Sequence, residues 1–113
     1  MSNNMASVGY ALITSGVTTT VTIDPSCISD LYSVEFTLKS GSPAAGTTAV
    51  TATPVNGTAE TVYDAYGVAL NINPTALAGF SVTGRPISSF TFTPSAWTAG
   101  VVVEVSVFAR IVR

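Results

Sequence analysis

Apolar and polar residues alternate along most of this chain, which is the period of a β-strand, where successive side chains point to opposite faces. The stretch "LYSVEFTLK" (31–39) shows it most cleanly. Tyr32, Val34, Phe36 and Leu38 share one face, and Ser33, Glu35, Thr37 and Lys39 share the other. "VTTTVTI" (17–23) sets Val17, Val21 and Ile23 inward against Thr18, Thr20 and Thr22, with Thr19 a polar lapse on the inner face. "GVALNI" offers Val68, Leu70 and Ile72, "FSV" offers Phe80 and Val82, and "ISSFTFTP" offers Phe90 and Phe92. Residues 8–14, 48–53 and 58–63 carry weaker versions of the pattern. No segment has the 3.6-residue period of an amphipathic helix.

Turn signals separate these runs. Ser15-Gly16 is short enough to join the first two strands as a hairpin, and Asp24-Pro25 ends the second, since proline cannot donate to a ladder. Residues 40–47 ("SGSPAAGT") form the longest flexible stretch. Asn56-Gly57 predicts a second hairpin, because both residues tolerate positive φ. "GRP" (84–86) and "PSAWTAG" (94–100) punctuate the carboxyl half, and "NPTALAG" (73–79) is expected to hold one short helical turn. This spacing predicts an all-β fold, an antiparallel β-sandwich or barrel of jelly-roll or immunoglobulin-like type, with about eight strands. Residues 1–113 are read as a single β domain, with residues 1–7 as an amino-terminal arm.

The last segment, "VVVEVSVFARIVR" (101–113), poses a question. One face carries Val101, Val103, Val105, Val107, Ala109 and Ile111, which is a core. The other carries Val102, Glu104, Ser106, Phe108, Arg110 and Val112. Three large apolar side chains stand on the face that should meet water. Either a second layer of the same domain covers them, or another molecule does.

Composition bears on that choice. Charged residues make up 9% of the 113 residues, against about 25% in an average soluble domain. Six acids and four bases leave a formal net charge of −2. No run of Lys or Arg exists to neutralise phosphates, so nucleic acid is not expected as a partner. There is no basic amphipathic stretch for a membrane surface either. A surface this poor in charge has little colloidal protection by itself, and charge is depleted at the centres of protein interfaces. Covering by copies of the same chain or by a larger assembly is therefore the expectation. The amino end lacks a basic segment followed by an apolar core, so no signal peptide is expected.

Candidate chemistry is sparse. The chain has no histidine, the commonest general base and metal ligand. Its single cysteine, Cys27, offers no internal disulfide and no zinc constellation, and it reads as a small hydrophobe. Asp24 and Asp30 flank "PSCIS", and Glu60 and Asp64 bracket "TVY". Paired carboxylates serve glycosidases or hold hard cations, but turn aspartates more often bond nearby backbone amides, and that is expected for Asp24 and Asp30. Glu60 and Asp64 lie roughly 13 Å apart at strand rise, too far to act together. No catalytic residue, metal or cofactor is assigned.

Trp97 sits in a loop, and Tyr63 and Tyr66 flank another. Loop aromatics stack on sugar rings or anchor interfaces; alternatively, Trp97 plugs the end of the sandwich. "NGT" (56–58) has the form of a glycosylation acceptor, read here as the hairpin turn.

At "VTGRPISSFTFTPSAWTAGVVVEVSVFARIV" (82–112) the chain resembles the head-decoration and other accessory structural proteins of tailed phages. The likeness lies in a strand, a "GRP" turn, a strand ending in "TP", a Trp- and Gly-containing hairpin and a Val-rich final strand. It covers about a quarter of the chain and carries no residue-level motif. It implies a small β-rich homo-oligomer that binds the major capsid protein or another virion protein and reinforces the shell. A protein of this kind is made in the host cytoplasm and located in the virion. On this expectation Val102, Phe108 and Val112 lie against a neighbour, Glu104 and Arg110 set the register there, and Trp97 is a further candidate contact. A tail-associated subunit (tube, terminator or fibre) and a glycan-binding β-sandwich module are the alternatives.

Overall fold

The computed structural model describes residues 4–111. Among them run eight strands: β1 (Asn4–Thr14), β2 (Thr19–Thr22), β3 (Leu31–Ser40), β4 (Thr47–Pro54), β5 (Glu60–Thr61), β6 (Phe80–Thr83), β7 (Ile87–Ser95) and β8 (Val102–Ile111). They pair antiparallel into two four-stranded sheets, ordered β1-β8-β3-β6 and β2-β7-β4-β5. Packed face to face, the sheets form the expected all-β sandwich. All eight strands lie in these two layers, and among the described residues no third layer of strands covers either outer face.

The inner faces follow from the alternation. Val103, Val105, Val107 and Ala109 of β8 and Tyr32 and Val34 of β3 are fully buried, as are Phe90 and Phe92 of β7 and Val50 of β4 in the opposite sheet. Aromatic rings interlock across the gap. Tyr32 meets Phe90 edge-on at 6.0 Å, Phe36 meets Phe92 at 5.7 Å, and Phe80 meets Phe90 at 6.2 Å between ring centroids. Such edge-to-face pairs add about 0.5–1.5 kcal/mol each beyond the area they bury. The Tyr32 hydroxyl fixes the layers in register. It accepts from the backbone N–H of Ser29 (2.9 Å) and of Ile87 (3.1 Å).

Several local features depart from the sequence pattern. Ser15-Gly16 turns the chain from β1 to β2, but these strands lie in different sheets, so the connection is a corner and not a hairpin. The Val17 amide donates to the Thr14 carbonyl inside that corner, and the Val17 side chain is exposed instead of inward. Residues 4–7, expected within an arm, belong to β1 and pair with residues 108–111 of β8. Ladder bonding continues wherever a partner strand offers donors and acceptors, and β8 does so along its length.

"GVALNI" does not become a strand. Isolated bridges hold Ala69 to Tyr63 and Asn71 to Ala49, while Ile72 is buried and Val68 exposed. At "NPTALAG" the Asn73 side chain accepts from the Thr75 amide and leaves a turn without a helix. The helical element among the described residues is instead a 3₁₀ turn at Pro25–Cys27, capped by Asp24. The Asn56-Gly57 hairpin does join β4 to β5, through Gly57 N–H to Pro54 carbonyl, yet neither residue takes positive φ.

Candidate interaction surface

β8 lies between β1 and β3, so its outward side chains occupy the middle of one outer face. Register places Phe108 beside Ser7 and Ser33, and Val102 beside Thr14 and Ser40. Small neighbours on both sides leave Phe108 and Val102 half-buried, without a covering layer. On the β1 side of this face stand three exposed apolar residues: Met5 (40%), Tyr10 (55%) and Leu12 (44%). Among the described residues no second layer covers Val102 and Phe108, and they continue into an apolar strip along β1. Val112 lies outside the described residues.

Glu104 and Arg110 are each paired within the fold. Glu104 accepts from the Tyr10 hydroxyl at 2.6 Å and lies 3.6 Å from Lys39, tying β8 to β1 and β3. The Tyr10 hydrogen bond, with the Lys39 charge behind it, holds the Glu104 carboxyl below its ordinary range, and the same bond raises the Tyr10 phenol. Arg110 donates to both oxygens of Asp30 at 2.7 and 2.9 Å. Arg110 is thus the main hold on the Asp30 carboxyl, keeping it below its ordinary value, and a backbone amide contributes less. Asp24 does bond the Ser26 amide as a turn residue, and that bond lowers its carboxyl.

The opposite outer face, on the second sheet, differs sharply. Thr20 and Thr22 of β2, Ser89, Thr91 and Thr93 of β7, and Thr51 and Thr53 of β4 make a hydroxyl lattice. Register aligns Thr20, Thr91, Thr51 and Thr61 in one row across all four strands. Thr20 and Thr91 hydroxyls meet at 3.1 Å. Threonine suits an exposed strand because its β-branch packs on the pleat while its hydroxyl faces water.

Trp97 is a plug and not a surface contact. It is 7% exposed, and its indole N–H donates to the Thr47 carbonyl and the Thr48 hydroxyl, each at 3.1 Å. Tyr63 (62% exposed) and Tyr66 (92%) remain outside. The glycan-binding arrangement expected from three loop aromatics thus loses its tryptophan. A groove of about 210 Å³ does open between the sheets on the β5/β6 side, lined in part by Val62, Tyr63, Val82 and Ile87. Across its mouth Arg85 clasps Glu60 in a two-bond fork of 2.9 and 2.8 Å, which lowers the Glu60 carboxyl. Both side chains are half exposed, and each satisfies the other.

Among the described residues no group of three or more His, Cys, Asp or Glu side chains converges as metal ligands would. Every described basic side chain (Lys39, Arg85, Arg110) lies in an ion pair. Sequence reasoning missed Met5, Tyr10 and Leu12 as surface candidates. Their signal was present in the "MASVGYALIT" alternation, but an extra residue at Val8/Gly9 shifts its phase. In comparisons with known proteins, no family model and no curated sequence matches this chain.

Proposed function

We propose that this protein is a non-enzymatic structural subunit of a phage virion, a capsid decoration protein that binds the head shell through the outer face of the β1-β8-β3-β6 sheet. One observation carries the reading: the two outer faces of the sandwich are unlike. One is an uncharged threonine and serine lattice suited to water. The other bears Met5, Leu12, Val102 and Phe108 among exposed ion pairs formed within the fold. A two-faced subunit of this kind turns its hydroxyl side outward and its apolar side to protein. Burying such a strip contributes about 25 cal/mol per Å² before the cost of association. The resemblance in residues 82–112 supports a virion among possible assemblies, and the low charge of the whole chain agrees with a surface that is covered.

The test uses virions assembled from the genome that encodes the chain. Mass spectrometry and antibody labelling should find the protein on heads. Phe108→Lys should melt within a few degrees of the native protein, because Phe108 is only half-buried between serines, yet fail to incorporate. Virions lacking the protein, or a Phe108→Lys variant that incorporates normally, would overturn the reading; labelling confined to tails would move the subunit there.

A further inference from the structure

The sandwich has four lateral edges, and three are short. β2 (Thr19–Thr22) is followed at once by Asp24-Pro25, β5 is two residues long and carries the Glu60–Arg85 fork, and β6 (Phe80–Thr83) is flanked by Gly79 and by "GRP". Brevity, charge, proline and bulges are the usual devices that stop a sheet edge from recruiting another strand. Of these β1 has a bulge alone. It is eleven residues long, it pairs with β8 alone among the described residues, and "NMASVGYALIT" contains no charged residue and no proline. Its one irregularity is the bulge at Val8/Gly9. There both residues turn inward, and Gly9 lies against the Val21 side chain of the other sheet. β2 therefore approaches β1 from the core side.

We infer that β1 is the contact between two copies of this chain, which pair antiparallel edge to edge across a two-fold axis to make one continuous eight-stranded sheet. A second copy is the occupant that the residues favour. In an isologous contact each edge meets its own sequence, and like charges set opposite one another destabilise a ladder. A strand without charges is self-compatible in a way the Glu60-bearing edge is not. The outward residues Met5, Tyr10 and Leu12 then lie along both sides of the seam, so pairing doubles the width of the apolar strip. This rests on the reading of the protein as an assembly subunit and names the copy that completes its binding face.

The experiment uses the isolated chain, away from any virion. Sedimentation velocity and light scattering should give twice the monomer mass of 11.5 kDa. Hydrogen exchange should show β1 amides gaining protection with rising concentration. Ser7→Lys combined with Leu12→Lys should return the mass to 11.5 kDa. The monomer tolerates both, since the Ser7 site lies beside Phe108, which a lysine stem can cover, and the Leu12 site faces Glu104. Circular dichroism of the variant checks that tolerance, and each single substitution serves if the double fails to fold. A native chain that stays monomeric at high concentration overturns the inference. So does a dimer that survives both lysines, or one without added β1 protection. The readouts are the mass and the amide exchange of the free chain and not incorporation into heads, so a failure of edge pairing is told apart from a failure of the proposed function.

Discussion

Trp97 shows how one side chain can close a fold while looking, in sequence, like a surface anchor. Its loop lies between β7 and β8, where the two sheets end, and an indole there either projects or caps the core. The decision comes from two acceptors on β4, the Thr47 carbonyl and the Thr48 hydroxyl. Thr48 is fully buried, so its hydroxyl needs a partner, and the indole N–H is that partner. Trp97→Phe keeps most of the apolar bulk but leaves these acceptors short of a donor. It should cost about 1–3 kcal/mol, measured as a lower midpoint in urea with an unchanged slope. A variant as stable as the native protein would show that the indole hydrogen bonds contribute nothing. Nothing in the spacing of "PSAWTAG" distinguishes plug from anchor, because the acceptors lie about fifty residues away in sequence.

At the scale of elements, period-2 patterning gave β3, β7 and β8 almost to the residue, since most of one face of each is dry, although Leu38 near the end of β3 is 40% exposed in spite of its place on the inward face. Tyr32 on β3 illustrates what patterning leaves out. It was legible as an inward residue, but its hydroxyl reaches the Ile87 backbone at the start of β7 and the Ser29 backbone before β3. Removing that hydroxyl strands two partly or fully buried amides. Tyr32→Phe should destabilise by about 1–3 kcal/mol, and amides of Ser29 and Ile87 should exchange faster, more than those at mid-β8. Unchanged exchange at both sites would refute this role. β1 and β2 were harder to read. A hairpin and a sheet-to-sheet corner use the same Ser-Gly turn, and the choice depends on β7 pairing with β2 and β8 with β1.

For the molecule as a whole, most of the described charges sit in ion pairs within the fold, and their titration sets the acid limit. Asp24, Asp30, Glu60 and Glu104 all have carboxyls held below their ordinary values of 3.8 for Asp and 4.5 for Glu. A depressed folded pKa means stability that is present above the unfolded value and is lost as pH falls through the folded one. Thermal midpoints should therefore be flat from about pH 7 down to the ordinary carboxylate range and decline below it. The decline should be modest, because these groups are exposed and such pairs contribute little. Salt should shrink it further. At the alkaline end the raised Tyr10 phenol stabilises the fold below its ordinary pKa of 10.0, and that contribution is lost as pH rises through the folded value. A midpoint that rises on acidification would contradict these assignments.

The amino-acid sequence by itself determined the all-β class, the inward residues of the long strands, the poverty of charge and the leftover apolar face on β8. The charge is a matter of composition, and the others depend on neighbours one or two positions apart, where the geometry of a strand is fixed. Tertiary structure alone decided which strands share a sheet, that β1 is a long uncharged edge, that Glu104 and Arg110 bond within their own fold, and that Trp97 is enclosed. Each of those outcomes joins residues far apart along the chain. A local pattern sets which side of a strand is apolar but carries no information about which strand lies across from it.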